Sequence, residues 1–201
     1  MRTMTHWSLA VLAFLVIGIA AQSPEAKAQS AKPEELRAGS FNTGWIVKPA
    51  TGAFAVLVST AKPPQTVTLP HDAMLGLQRA PEHGSSSGYF PGGAFEYQKT
   101  FRVPADLRGK RVTFEFEGVY RDAMVFINGE FAAQRPHGYS TFYVPANAFL
   151  KYGEANTIRV VARAYKDSRW YSGIGIHRDT RVIVKEPVHV AARKLGSDWY
   201  F

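Results

Sequence analysis

The chain has 201 residues, no cysteine, and 24 lysines and arginines against 16 aspartates and glutamates, a net charge of +8. Without a thiol, a disulfide framework and thiolate metal sites are both excluded, so packing must hold the fold. The basic residues are scattered, with no run longer than two, which points to solubility and weak anionic contacts rather than to nucleic acid as a partner.

In chain order, the first expected element is a targeting segment. Arg2 and His6 give a weakly basic start and Trp7 to Ala21 a mainly apolar run, too short and too poorly flanked for a membrane span. Ala26-Lys27-Ala28 supplies the small-x-small pattern of a signal-peptide cleavage site, so residues 1–28 are read as a signal peptide. The product is expected in the periplasm or the medium, with no membrane association after cleavage; an uncleaved anchor is the alternative. Cleavage leaves 201 − 28 = 173 residues and, with Arg2, Lys27 and Glu25 gone, a charge of 22 − 15 = +7. That length suits one domain with a sizeable core. Residues 29–44 are polar, with Pro33 and the pair Glu34-Glu35, and read as a flexible leader.

From Trp45 the character changes. "FAVLVST" (Phe54 to Thr60) and "TVTLP" (Thr66 to Pro70) are β-rich stretches around a Lys62-Pro63-Pro64 turn. "PEHGSSSGYFPGG" (Pro81 to Gly93) is a long loop ending in two aromatics. Alternation then becomes regular. Phe95, Tyr97, Phe101 and Val103 share one face of a half-buried strand, with only Lys99 out of pattern, and Val112, Phe114 and Phe116 repeat the device. Asn128-Gly129 is the dipeptide best suited to the two positive-φ positions of a type I′ hairpin turn. Ile158, Val160, Ala162 and Ala164 form the next inward face, and "TRVIV" closes the series. Short strands with Gly and Pro between them and no βαβ rhythm predict an all-β antiparallel sandwich or barrel, with ligand chemistry left to the end loops.

Catalytic chemistry finds little support. Glycoside hydrolysis needs two carboxyl groups about 5 to 9.5 Å apart; Glu115 and Glu117 lie two apart on a strand, about 7 Å, but they simply occupy its polar half. Asp122, Asp167 and Asp179 are separated by whole strands. "GSSSG" (Gly84 to Gly88) lacks the strand-turn-helix setting of a reactive serine, and His71, His83, His137, His177 and His189 show no close metal-ligand spacing. Gly173 and Gly175 begin a GxG with Arg178 where a third glycine would stand, and no helix follows to receive a phosphate. What remains is binding. "DSRWYSG" (Asp167 to Gly173) combines aromatic faces with an acid and an arginine, the ingredients of a carbohydrate site. The same stretch also reads as a corner in which Trp170 packs inward.

Several segments together resemble the amino-terminal sugar-binding jelly-roll domain of glycoside hydrolase family 2, the β-galactosidase, β-glucuronidase and β-mannosidase group. They are "LPHD" (from Leu69), "EYQKTFRVP" (from Glu96), "GKRVTFEFEGVYRDAMVFINGE" (from Gly109), "HGYSTFYV" (from His137), "GEANTIRVVA" (from Gly153) and "DSRWYSGIGIHRDT" (from Asp167), in the family's order. The resemblance covers residues 45–190 and implies a jelly-roll β-sandwich of the galactose-binding-domain type. In complete enzymes an immunoglobulin-like domain and a (β/α)₈ barrel follow, the barrel carrying both catalytic glutamates. No residue here matches those motifs, so the resemblance implies no catalytic residue in this chain and little activity alone. "RKLGSDWYF" within the tail 191–201 matches nothing in the family, which reads as a truncated or disturbed frame. By position Asp167 matches an acidic residue that contacts sugar hydroxyls, and in complete enzymes only, a nearby cation; Arg169 and Trp170 match the "RW" bordering the same region. The loop from Tyr89 to Gly93 is expected near it, although "AFEY" stands where many relatives have a Trp-Tyr pair. No other cofactor or metal is implied. The leading expectation is therefore a secreted glycosidase domain whose partners are carbohydrate and the further domains of the enzyme; a stand-alone carbohydrate-binding or adhesion module and a purely structural interaction protein are the alternatives.

Overall fold

The computed structural model describes residues 33–50, 63–164 and 170–189; the signal segment, "FAVLVST", Asp167, Arg169 and the tail 191–201 lie outside them. Among the described residues thirteen strands follow one another: β1 (Glu34–Glu35), β2 (Gly39–Ser40), β3 (Trp45–Pro49), β4 (Gln65–Val67), β5 (Gly93–Arg102), β6 (Arg111–Phe116), β7 (Val119–Tyr120), β8 (Ala123–Ile127), β9 (Glu130–Arg135), β10 (Phe142–Pro145), β11 (Ala155–Ala164), β12 (Gly175–Ile176) and β13 (Thr180–Lys185). Among the described residues the only helical pieces are short 3₁₀ turns, and no helix is long and apolar enough to cross a membrane.

The strands form an all-β jelly-roll sandwich. One sheet runs β4-β3-β5-β11-β8-β9 with β1 beside the end of β5; the other runs β10-β6-β13-β2; β12 and β7 make a small ribbon. Apart from the parallel β1–β5 contact, the pairings are antiparallel. Alternation decides what lies between the layers. β5 buries Tyr97 and Phe101, β11 buries Ile158, Val160, Ala162 and Ala164, and β6 answers with Val112, Phe114 and Phe116 from the facing sheet. Phe116 stacks on Phe142 with centroids 5.1 Å apart. Each fully buried side chain of this size contributes about 1.5–3 kcal/mol, which is how a chain without disulfides holds together.

The hairpin expected at Asn128-Gly129 is present, with φ of 51° and 87° at the two positions, joining β8 to β9. Asn128 does more than turn the chain. Its amide donates to Phe149 O (2.8 Å) and to Asn156 Oδ1 (2.7 Å), and its own Oδ1 accepts from Thr157 N. Asn156, 1% exposed, also bonds both main-chain groups of Lys151 and the carbonyl of Glu154. This network satisfies buried polar groups that would otherwise be costly.

The flexible leader expected over 29–44 is corrected for its described part. β1 pairs with Phe101 and Arg102 of β5, β2 pairs with β13, and Leu36 and Phe41 are buried. Phe41 lies edge-on to both Trp45 and Phe101, and Trp45 Nε1 donates to its carbonyl at 2.8 Å. Two apolar residues five apart in a polar segment give no periodicity, yet they suffice to anchor it. The same segment explains Lys99, the break in the alternation of β5. Its side chain is 2% exposed, with Nζ 3.9 Å from the centre of the Phe41 ring and 2.9 Å from Glu34 Oε2. Burial lowers the lysine pKa while Glu34 opposes the shift.

Candidate functional site

The "LPHD" and "GIGI" segments, a hundred residues apart in sequence, are laced together at one end of the sandwich. His71 N donates to Ile176 O and Ala73 N to Ile174 O, both at 2.8 Å. Asp72 is the knot. Its Oδ1 accepts from Met74 N (2.9 Å), capping the 3₁₀ turn Ala73–Gly76, and from Ile174 N (3.0 Å); its Oδ2 accepts from the Tyr171 hydroxyl. An aspartate suits this place because one short side chain with two acceptor oxygens meets three donors.

Two glycines follow from that closeness. At Gly173, with φ +71°, a Cβ would stand 2.7 Å from Asp72 Oδ2; at Gly175, with φ +141°, it would stand 2.2 Å from the Tyr97 hydroxyl and 2.7 Å from His71 O. The GxG therefore serves close backbone approach. The Tyr97 hydroxyl also sits 2.8 Å from His71 Nδ1. Charge and burial act on the whole group. Burial, then the hydrogen bond to Asp72 and its charge, push the Tyr171 hydroxyl pKa up; burial followed by the Asp72 charge does the same to Tyr97. Burial lowers the His71 pKa against the opposing pull of Asp72.

Around this knot the surface is aromatic. Phe90 packs on Tyr171 with centroids 5.3 Å apart, so the Tyr89-to-Gly93 loop does approach the Trp170 segment as expected. Arg79 spans Tyr89 and Phe90 with its guanidinium 5.9 and 5.5 Å from the ring centres, and Nε donates to Gly88 O at 2.9 Å. Trp170 is 61% exposed, Tyr89 42% and Tyr171 40%. Of the two readings open for Trp170, an exposed binding residue or an inward-packed corner, the second does not fit: Trp170 is largely exposed, and the corner is closed instead by the buried Ile174, whose N–H donates to Asp72. A small cleft of about 70 Å³, lined in part by Val47, His71, Asp72, Leu77 and Phe95, opens beside the knot. Asp167 and Arg169, and with Asp167 the cation expected beside it, fall outside the described residues.

The carboxylates weighed as catalysts have other occupations. Glu117 pairs with Arg181 at 3.2 Å. Glu115 lies by Tyr143, whose hydroxyl pKa is pushed up by burial first and by Glu115 second. Asp179 accepts from Asn42 Nδ2 at 3.0 Å, and Asp122 sits 3.6 Å from Arg163. Among the described residues no group of three or more His, Asp or Glu side chains is placed to hold a metal. Fixed acceptors beside exposed rings suit binding of a polyhydroxylated ligand, with an apolar face to stack and oriented polar groups to select.

Comparison with known proteins agrees with this description. No family model matches the chain. The β-galactosidase BoGH2A of Bacteroides ovatus is 38% identical over 130 residues, 63% of this chain and 15% of that protein. A β-glycosidase from Bacteroides vulgatus superposes with a TM-score of 0.65 and 32% identity over 76% of this chain and 20% of its own. A β-glucuronidase of glycoside hydrolase family 2 does so with 0.63 and 25% over 81% and 19%. The chain is similar to family 2 glycoside hydrolases. It corresponds to the amino-terminal β-sandwich of that family, and the chain spans about 15% of the length of the first of these relatives. Asp72, Tyr171, His71 and Arg79 belong to this candidate site and are residues that sequence reasoning did not single out. "LPHD" was visible, but its partners lie 102 residues away for Ile174 and 99 for Tyr171, and no local pattern carries such a pairing.

Proposed function

We propose that this domain is exported and contributes the sugar-contacting rim of a family 2 β-glycosidase, supporting the substrate pocket beside an immunoglobulin-like domain and a catalytic barrel. The carrying observation is the exposed cluster of Trp170, Tyr89 and Tyr171 held at one end of the sandwich by the Asp72 knot, in a chain that is similar to glycosidases. Asp167 and Arg169 directly precede Trp170 in the sequence and are assigned to sugar hydroxyls, with carbohydrate as the ligand. The domain positions substrate and leaves acid–base and nucleophilic chemistry to carboxylates outside it.

Two measurements test this. Purified chain is expected to leave nitrophenyl β-galactoside and β-glucuronide intact, and robust turnover would overturn the assignment of catalysis to another domain. Export predicts a mature amino terminus at Gln29, read by mass spectrometry of the periplasmic or secreted product; retention of residues 1–28 would overturn the signal reading.

A further inference from the structure

The loop that carries Tyr89 and Phe90 is built as a fixed platform with a cation at its root. Ala80 N donates to Tyr89 O and Tyr89 N to Gly84 O, both at 3.0 Å, around the two 3₁₀ turns Pro81–His83 and Ser85–Ser87. Tyr89 stands at φ +67°, a left-handed position that a bulky residue occupies only at a cost and that concentrates at ligand sites. The loop thereby presents the exposed Tyr89 ring beside Phe90.

Arg79 is that cation. Its Nε donates to Gly88 O at 2.9 Å, and its guanidinium carbon lies 5.9 Å from the Tyr89 ring centre and 5.5 Å from that of Phe90. Of the five guanidinium donors this uses one, and among the described residues no hydrogen bond or ion pair takes up those on Nη1 and Nη2. The nearby carboxylates have other places. Both oxygens of Asp72 are occupied by Met74 N, Ile174 N and the Tyr171 hydroxyl, and Glu82, three residues on in the first 3₁₀ turn, is not paired with Arg79. From the guanidinium the row of rings continues into the rim, since Phe90 packs on Tyr171 at 5.3 Å. A brace against two rings needs the guanidinium plane and Nε; it does not need the Nη donors.

We propose that Arg79 is a specificity-determining residue of the rim and selects an acidic sugar, one that bears a carboxylate or a sulfate ester. The C–H face of the sugar stacks on the exposed rings, and its anionic group takes the Nη donors. A guanidinium fork matches paired anionic oxygens and is less strongly hydrated than an ammonium. Contact with Tyr89, Phe90 and Gly88 holds the side chain in place before a ligand arrives, which lowers the entropy lost on binding. This inference rests on the sugar-contacting reading of the rim and adds to it the class of sugar.

The test is titration of the full chain, followed by NMR chemical shifts, with methyl β-glucuronide, methyl β-glucoside and methyl β-glucoside 6-sulfate, which differ only at carbon 6. Circular dichroism checks that each variant folds. The wild type is expected to bind an acidic ligand about five- to tenfold more tightly than the glucoside, and the arm that shows the preference tells carboxylate from sulfate. Arg79→Gln is expected to bring that ratio to about one. Trp170→Ala should weaken all three ligands together and keep the ratio, and so should the charge control Lys151→Gln, near the start of β11, without weakening them. Equal wild-type affinities for acidic and neutral ligands, a ratio that survives Arg79→Gln, or a ratio lost equally in Lys151→Gln would each overturn the role of Arg79 and leave the rim reading standing. Binding of none of the three ligands by the wild type would overturn the rim reading and this inference with it, so the two failures are distinguishable.

Discussion

Replacing Gly175 by alanine tests the packing of the loop end quantitatively. The new methyl would stand 2.2 Å from the Tyr97 hydroxyl and 2.7 Å from the His71 carbonyl, both held by buried partners that cannot simply swing away. Positive φ at an L-residue costs about 1–3 kcal/mol, and forcing a methylene-sized group into a packed site costs about 1–3 kcal/mol more. A total of about 2–6 kcal/mol is a large share of a stability of about 5–15 kcal/mol. Gly93 supplies the control. Its φ is +139°, nearly that of Gly175, but a Cβ there meets nothing within 4 Å, so Gly93→Ala isolates the backbone cost. Urea unfolding followed through tryptophan fluorescence, which includes the fully buried Trp45, should place Gly175→Ala about 2 kcal/mol below Gly93→Ala. Equal midpoints for the two variants would refute the claim that close approach to Tyr97 and His71 fixes this glycine.

The remaining expectations use the same unfolding assay. Asn156→Ala removes one of the two acceptors of the half-buried Asn128 amide and the partner of both main-chain groups of Lys151 and should cost about 2–4 kcal/mol. Lys99→Met replaces a buried ammonium by an apolar chain of similar length and should be neutral or stabilising by about 1–3 kcal/mol, whereas Glu34→Ala, which strands that ammonium, should destabilise. Burial lowers the pKa of His71, and burial together with Arg178 lowers that of His177, from 6.5. The unfolded chain then binds more protons, so stability should fall as pH drops through 6.5 toward the folded values, and His177→Phe should flatten that slope. At the other extreme Tyr97 and Tyr171 have raised pKa values, so stability should be lost as pH rises above 10, and Asp72→Asn should bring the Tyr171 titration down in an ultraviolet scan.

Much of the sandwich was legible because burial on one face writes itself as a period of two. β5, β6 and β11 read directly, and Asn128-Gly129 announced its turn. Lys99 was the exception, and its cause lay outside the strand: Phe41 and Glu34 come from a segment whose polar composition concealed two anchoring side chains. The site was legible in its residues and not in its connections. Trp170 and the glycines stood out, but Asp72 gains its meaning only from donors on a loop about a hundred residues later. Close approach at Gly173 and Gly175 likewise depends on which side chains the fold brings against them. Spacing in the chain records neighbours along a strand; it does not record which loops meet at the end of a sheet.

The central claim, that the Trp170 end of this domain touches sugar in a complete glycosidase, is tested most directly by exchange. The sandwich is placed in BoGH2A of Bacteroides ovatus in exchange for the segment it matches at 38% identity, and nitrophenyl β-galactoside turnover is measured with and without Trp170→Ala and Asp167→Ala. The account predicts an active chimera in which each substitution lowers kcat/KM about tenfold or more, a transition-state loss of about 1.4 kcal/mol. An active chimera whose kcat/KM is unchanged by both substitutions would contradict it.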